Sequence, residues 1–144
     1  MTRACVNIGA AWAFLVTSAT MAAAAPPAAG IGRKIAVPGG AYSNIGPTAL
    51  QPLLTHKDFI FVNVHVPYEG EIAQTDAHLP YDQVARQLDR LPSDRGAMIV
   101  LYCRTGHMSV TAAETLVRLG YTNVWNLEGG FIAWERAGFP LRKP

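Results

Sequence analysis

Cysteine is nearly absent from this chain, and the two that occur sit in unlike settings. Cys5 lies at the very start and Cys103 deep in the sequence. Charge is scarce as well: 15% of residues are Asp, Glu, Lys or Arg, and the formal net charge is +2. The cations are scattered, with no basic run. Nucleic-acid binding needs a concentrated positive face, so the composition argues against it. No apolar run reaches the ~20 residues that a membrane-spanning helix requires. There is no internal repeat. What is plentiful is hydrophobic side chain, half of all residues, which marks a globular chain rather than a disordered one. A length of 144 residues leaves room for one domain.

The N-terminus has a layout of its own. One positive charge in Met1-Thr2-Arg3 precedes an apolar centre from Ile8 to Val16, and "TSATMAAAAPPAAG" follows. A charged start, a short apolar core, Ala-x-Ala and then prolines predict a secretory signal peptide over residues 1–24, cleaved after or near Ala24. The mature protein is then expected in the periplasm or outside the cell, with no membrane attachment after cleavage. Cys5 lacks a lipoprotein context and leaves with the signal. Cys103 remains alone, so no internal disulfide can form in an oxidising compartment.

Residues 25–41 are rich in Pro, Gly and Ala and show no period, which predicts a linker. The domain is expected over 42–140, with 141–144 as a tail. "GPTALQPLLTHKD" predicts a helix opened by Pro47, with Leu50, Leu53 and Leu54 on one face. "FIFVNVHV" predicts a strand ended by Pro67, and "YDQVARQLDRL" a second helix stopped before Pro92. "AMIVLYC" is apolar on both faces, the pattern of a central parallel strand. "HMSVTAAETLVRLG" predicts a helix ended by Gly120, "NVWNL" a strand, and "FIAWERAG" a last helix. Strands alternating with helices at this spacing imply an α/β domain with a largely parallel sheet.

That order puts Cys103 at the carboxyl end of a central strand, just before a helix N-terminus. Ligands of open α/β sheets bind outside those strand ends. Gly106 lets the loop "RTGHM" curl with its N–H groups inward, beside the positive end of the helix dipole. Such a loop is expected to stabilise the Cys103 thiolate and make it a nucleophile. A free cysteine is often only a small buried hydrophobe, but a merely packed one needs neither Gly106 nor Arg104 beside it.

"IVLYCRTGHMS", followed by "GYTNVWNLEGGFIAWERAG", resembles a rhodanese domain over about Tyr42 to Phe139. The most specific parts are the strand–Cys–loop–helix unit and the element from Leu127 to Gly130 with Trp134. The resemblance implies a small three-layer fold, a mostly parallel sheet flanked by helices. It implies a sulfurtransferase that moves a sulfane sulfur, from thiosulfate or a related donor, to cyanide or a thiol through a persulfide. By carry-over Cys103 is the nucleophile, and Arg104, Thr105, Gly106, His107 and Met108 form the substrate-binding loop. Arg104 is also available for an anionic donor. No metal or organic cofactor is implied, and the partners are a small sulfur compound or a protein thiol acceptor. Oligomeric state is left open.

Several positions depart from the family pattern. Asn63-Val64-His65 stands where many relatives have Asp-Val-Arg, "AHLPYD" only partly echoes Gly-His-Ile-Pro-Gly-Ala, and Met108 replaces a second arginine. Glu69, Glu71 and Asp76 have no histidine among them and are expected to form a solvated acidic loop. One Cys and one His, Cys103 and His107, are too few for zinc, which takes about four ligands. His107 is then a rim residue, while His56, His65 and His78 take structural or surface roles. Trp125 and Trp134 are expected in the core. Two other functions compete with the enzyme. A persulfide carrier acting only with a partner protein fits the same residues. A phosphatase or arsenate reductase of similar fold would need Cys-x5-Arg, and here Ser109 stands at the arginine position.

Overall fold

Alternating strands and helices build an α/β domain in the computed structural model, which describes residues 31–144. The signal peptide expected over 1–24 and the first residues of the expected linker lie outside the described residues.

The chain opens with β1 (Arg33–Val37) and β2 (Gly40–Ile45), then α1 (Pro47–Thr55), β3 (Ile60–Asn63), β4 (Glu71–Ile72) and β5 (Ala77–His78). Two 3-10 turns, Val84–Arg86 and Leu88–Arg90, precede β6 (Ile99–Tyr102) and α2 (His107–Arg118). Then come β7 (Val124–Leu127), α3 (Gly130–Arg136) and β8 (Leu141–Arg142). Six strands form the main sheet in the order β1-β2-β7-β6-β3-β5. Only the β1–β2 hairpin is antiparallel; the other neighbours run parallel.

β6 explains the division of the core. Its residues are all buried, as a strand apolar on both faces must be. Side chains alternate across a strand. Ile99 and Leu101 therefore join Ala112, Ala113, Leu116 and Val117 of α2 on one face, and Cys103 continues that series. Val100 and Tyr102 join Leu50 and Leu54 of α1 and Phe131 and Trp134 of α3 on the other. These are the three layers expected, with a mostly parallel sheet between helices. Trp134 is buried, whereas Trp125 is only half-buried.

Three segments differ from expectation. The stretch read as linker carries β1 and the start of β2 within residues 33–41. Ile35 and Val37 alternate with exposed residues and pack on the α2-side core, and Pro38-Gly39 makes the turn between the strands. The second helix over 81–91 is replaced by the two 3-10 turns. Gln87 leaves helical geometry between them, at φ −126° and ψ 37°, and within this stretch only Val84 and Leu91 are buried, too few to hold a helix face. The expected tail is not free either: Leu141 and Arg142 pair antiparallel with Ile72 and Glu71.

Candidate active site

Cys103 follows β6 directly and precedes α2 by three residues, the loop Arg104-Thr105-Gly106. The cysteine is 1% exposed. Gly106 turns the chain at φ 99°, a left-handed conformation that side-chain-bearing residues rarely adopt. This turn aims the Gly106 N–H at Cys103 Sγ, 3.1 Å away. One backbone donor therefore reaches the sulfur, where the sequence had suggested a fuller ring of them. Charge-bearing acceptors gain most from such fixed donors.

A second donor was not foreseen. Ser109 is fully buried, and its Oγ lies 3.5 Å from Cys103 Sγ. The same oxygen is 2.6 Å from Asn126 Oδ1 and 3.1 Å from the Gly106 carbonyl. A serine has one hydroxyl proton to give. With a neutral thiol, that proton goes to Asn126 and the S–H can donate to Ser109 Oγ. With a thiolate, the hydroxyl can turn to the sulfur. Asn126 is held in turn, its Nδ2 donating to Asn44 Oδ1 at 2.8 Å. Asn44 and Asn126 are register partners on neighbouring β2 and β7, so three buried polar side chains run from the sheet to the cysteine.

The turn ahead of α3 closes the loop from the other side. Phe131 N–H donates to the Cys103 carbonyl at 2.9 Å, and Ile132 N–H to the Arg104 carbonyl at 3.1 Å. Gly130 sits at φ 60°, and a Cβ there would collide with both carbonyl oxygens. The Leu127–Gly130 element thus works through backbone contact with the cysteine loop.

The remaining loop residues are placed differently from one another. Arg104, Thr105 and His107 are exposed, and Met108 packs half-buried against the α2-side core. Thr105, Gly106 and His107 line an open cavity of about 660 Å³ together with Asn44, Asn126 and Glu128. Arg104 turns the other way, with Nη1 3.5 Å from Glu69. Glu69 also meets His65 Nε2 at 3.0 Å. The acidic segment is therefore not simply solvated: Asp76 likewise accepts from Phe61 N–H at 2.7 Å and pairs with Lys57. His65 is buried, and its Nδ1 is the one buried side-chain polar atom without a partner among the described residues. His78 Nε2 lies 2.6 Å from the His65 carbonyl.

Next to the cysteine, Tyr102 points into the opposite core. Its hydroxyl accepts from Ile72 N–H at 3.0 Å and lies 2.7 Å from Thr75 Oγ1. Burial pushes its phenol up to about 12, against partial relief from the Thr75 and Ile72 hydrogen bonds. Among the described residues no group of three His, Cys, Asp or Glu is arranged to hold a metal ion.

Fold and loop together define an α/β domain that presents a single cysteine at the carboxyl edge of its sheet, in a loop capped by a left-handed glycine. A family profile described as Rhodanese-like domain matches residues 61–137, and the chain belongs to that family. A sulfurtransferase of Allochromatium vinosum is 39% identical over 98 residues, covering 65% of this chain and 88% of that protein. The thiosulfate sulfurtransferase GlpE of Vibrio cholerae is 26% identical over 102 residues, covering 69% and 94%. A rhodanese-related protein from Thermoplasma volcanium superposes with a TM-score of 0.59 at 27% identity, covering 68% of this chain and 95% of that one. Other curated relatives are longer, and the chain spans about half of one and less of another.

Proposed function

We propose that the protein is an exported sulfurtransferase in which Cys103 carries the moving sulfur as a persulfide. The observation that carries this reading is the Gly106 N–H on Cys103 Sγ at the end of β6, a fixed donor for a sulfur anion. The sulfurtransferase names of the relatives support it, and the N-terminal layout supports export.

The steps balance without any cofactor. The Cys103 thiolate attacks the outer sulfur of thiosulfate, the S–S bond of the donor breaks, and sulfite leaves with the electron pair. The persulfide formed is itself an anion and can use the same N–H. An acceptor thiolate or cyanide then attacks the terminal sulfur and takes it, returning the Cys103 thiolate. Arg104 offers positive charge for an anionic donor, Gly106 shapes the loop, and Thr105, His107 and Met108 frame its exposed and buried edges.

Protein recovered from the periplasm and incubated with thiosulfate is expected to show a mass lacking residues 1–24 and carrying one added sulfur on the Cys103 peptide. Cyanide or a small thiol should remove that sulfur. Cys103→Ser should take up none, because a hydroxyl is too weakly acidic to replace the thiolate. Sulfur transfer by Cys103→Ser at the parent rate would end the enzyme reading, and removal only by a protein acceptor would favour a persulfide carrier. A recovered mass that still includes Trp12 and Phe14 would end the export reading.

A further inference from the structure

The loop's one flanking cation does not face solvent alone. Asn63 folds the segment after β3 back on itself: its Nδ2 donates to the Gly70 carbonyl at 2.9 Å, and its Oδ1 accepts from His65 N–H at 3.0 Å. This returns Glu69 to the cysteine loop, where its carboxylate bridges His65 Nε2 at 3.0 Å and Arg104 Nη1 at 3.5 Å. A carboxylate only accepts, so the proton between them sits on Nε2. His65 is 7% exposed and lies edge-on to Phe131, with ring centroids 5.6 Å apart. Glu69 is thus anchored on a buried group and reaches outward to Arg104.

Beside Arg104 opens a groove of about 400 Å³, lined by Glu69, Phe131, Ile132, Glu135 and Lys143 among others. Its second cation is matched too, Lys143 pairing with Glu135 at 3.2 Å. Two cations face two carboxylates, beside Phe131, Ile132 and Leu141. A dianion approaching Arg104 meets Glu69 as well, and its attraction is largely cancelled. A donor carrying one negative charge or none loses less there.

We infer that Glu69 is a specificity-determining residue that masks Arg104 and directs Cys103 toward organic persulfides of low charge rather than thiosulfate. This rests on the sulfurtransferase reading and deepens it. The favoured step is attack of the Cys103 thiolate on the outer sulfur of R–S–SH, giving the Cys103 persulfide and releasing R–S⁻. Atoms, charge and electrons balance with no further reactant. Glu69 acts through Arg104 and the field of the groove, so it is a positioning residue.

The test measures the rate of Cys103 charging in quenched single turnovers, read by mass, over a range of donor concentration. The two donors are thiosulfate, a dianion, and an alkyl persulfide generated in place, which carries at most one negative charge. Glu69→Gln keeps the side-chain shape and removes the charge. It should raise thiosulfate charging at low donor concentration ~3–10-fold, chiefly through a lower half-saturating concentration, since the groups are partly exposed and screened. The alkyl persulfide, with at most half the charge, should gain by a smaller factor, and Glu69→Asp should hold thiosulfate near the parent value, because the charge is what matters. Equal gains for both donors, or no gain for thiosulfate, would overturn the inference while leaving sulfur transfer standing. If neither donor charges Cys103 in the parent protein, the sulfurtransferase reading falls and this inference falls with it.

Discussion

Gly130 and Cys103 are in backbone contact: the Cα of one lies where any side chain would strike the carbonyl oxygen of the other. The amide of Phe131 then holds that same carbonyl at 2.9 Å. The glycine pair Gly129-Gly130 is therefore part of the cysteine loop's mould, although it stands more than a helix away in sequence.

Gly130→Ala should destabilise the domain by ~2–4 kcal/mol, from a left-handed φ combined with collision against backbone oxygens. Chemical denaturation measures the loss. Alkylation of Cys103 should change rate in the same variant under native conditions, because the loop must shift to admit the methyl group. A variant as stable as the parent would mean that α3 and the loop can separate at little expense.

Ser109→Ala removes the proton shared between Asn126 and the sulfur. It leaves the buried Asn126 Oδ1 without a donor, which should lower stability by ~1–3 kcal/mol. Charging of Cys103 should also slow, by about tenfold or less, one hydrogen bond's worth of anion stabilisation. The pair of effects separates this role from plain packing, since Ser109→Ala changes volume very little. Stability loss with an unaltered charging rate would show that the hydroxyl serves only Asn126.

Tyr102 makes stability fall in alkali. Its phenol, near 10 when unfolded, is held up to about 12 by burial in the fold. The folded state keeps the proton longer, so the stabilisation is intact below pH 10 and is lost as pH rises through 12. Two pH units correspond to on the order of 2–3 kcal/mol. Equilibrium unfolding between pH 9 and 12 should show this slope. Tyr102→Phe should flatten it, yet start from a lower value near neutrality, because the buried Ile72 N–H loses its acceptor. A slope that survives in Tyr102→Phe would assign the alkaline transition to other groups.

Much of this architecture is legible from local pattern. "IVLY" is apolar at every position, which suits only a strand covered on both faces, and that places the following cysteine at the sheet's carboxyl edge. The positive φ at Gly106 could be expected because no other residue in the loop tolerates it. The hairpin was hidden by composition: Pro38, Gly39 and Gly40 mask the alternation of Ile35 and Val37. The region 81–91 shows the opposite fault, apolar spacing without enough buried side chains to sustain a helix.

The site's hidden partners were out of reach for a different reason. Ser109 and Asn126 are 17 residues apart, and Asn126 and Asn44 are 82 apart. Nothing local connects them; they meet because β2 and β7 are neighbours, a property of strand order. His65 and Glu69 are spaced four apart, but not on a helix, so periodicity offered no signal. Their meeting depends on the turn that Asn63 closes.

The line of side chains from Asn44 through Asn126 to Ser109 gives the cysteine a further use to the experimenter. Asn44 rides on β2, one arm of the antiparallel hairpin at the sheet's margin, and fraying of that arm would release Asn126 and then the serine hydroxyl. Labelling of the thiol should therefore quicken in a variant whose hairpin is weakened, with no probe attached to the hairpin itself.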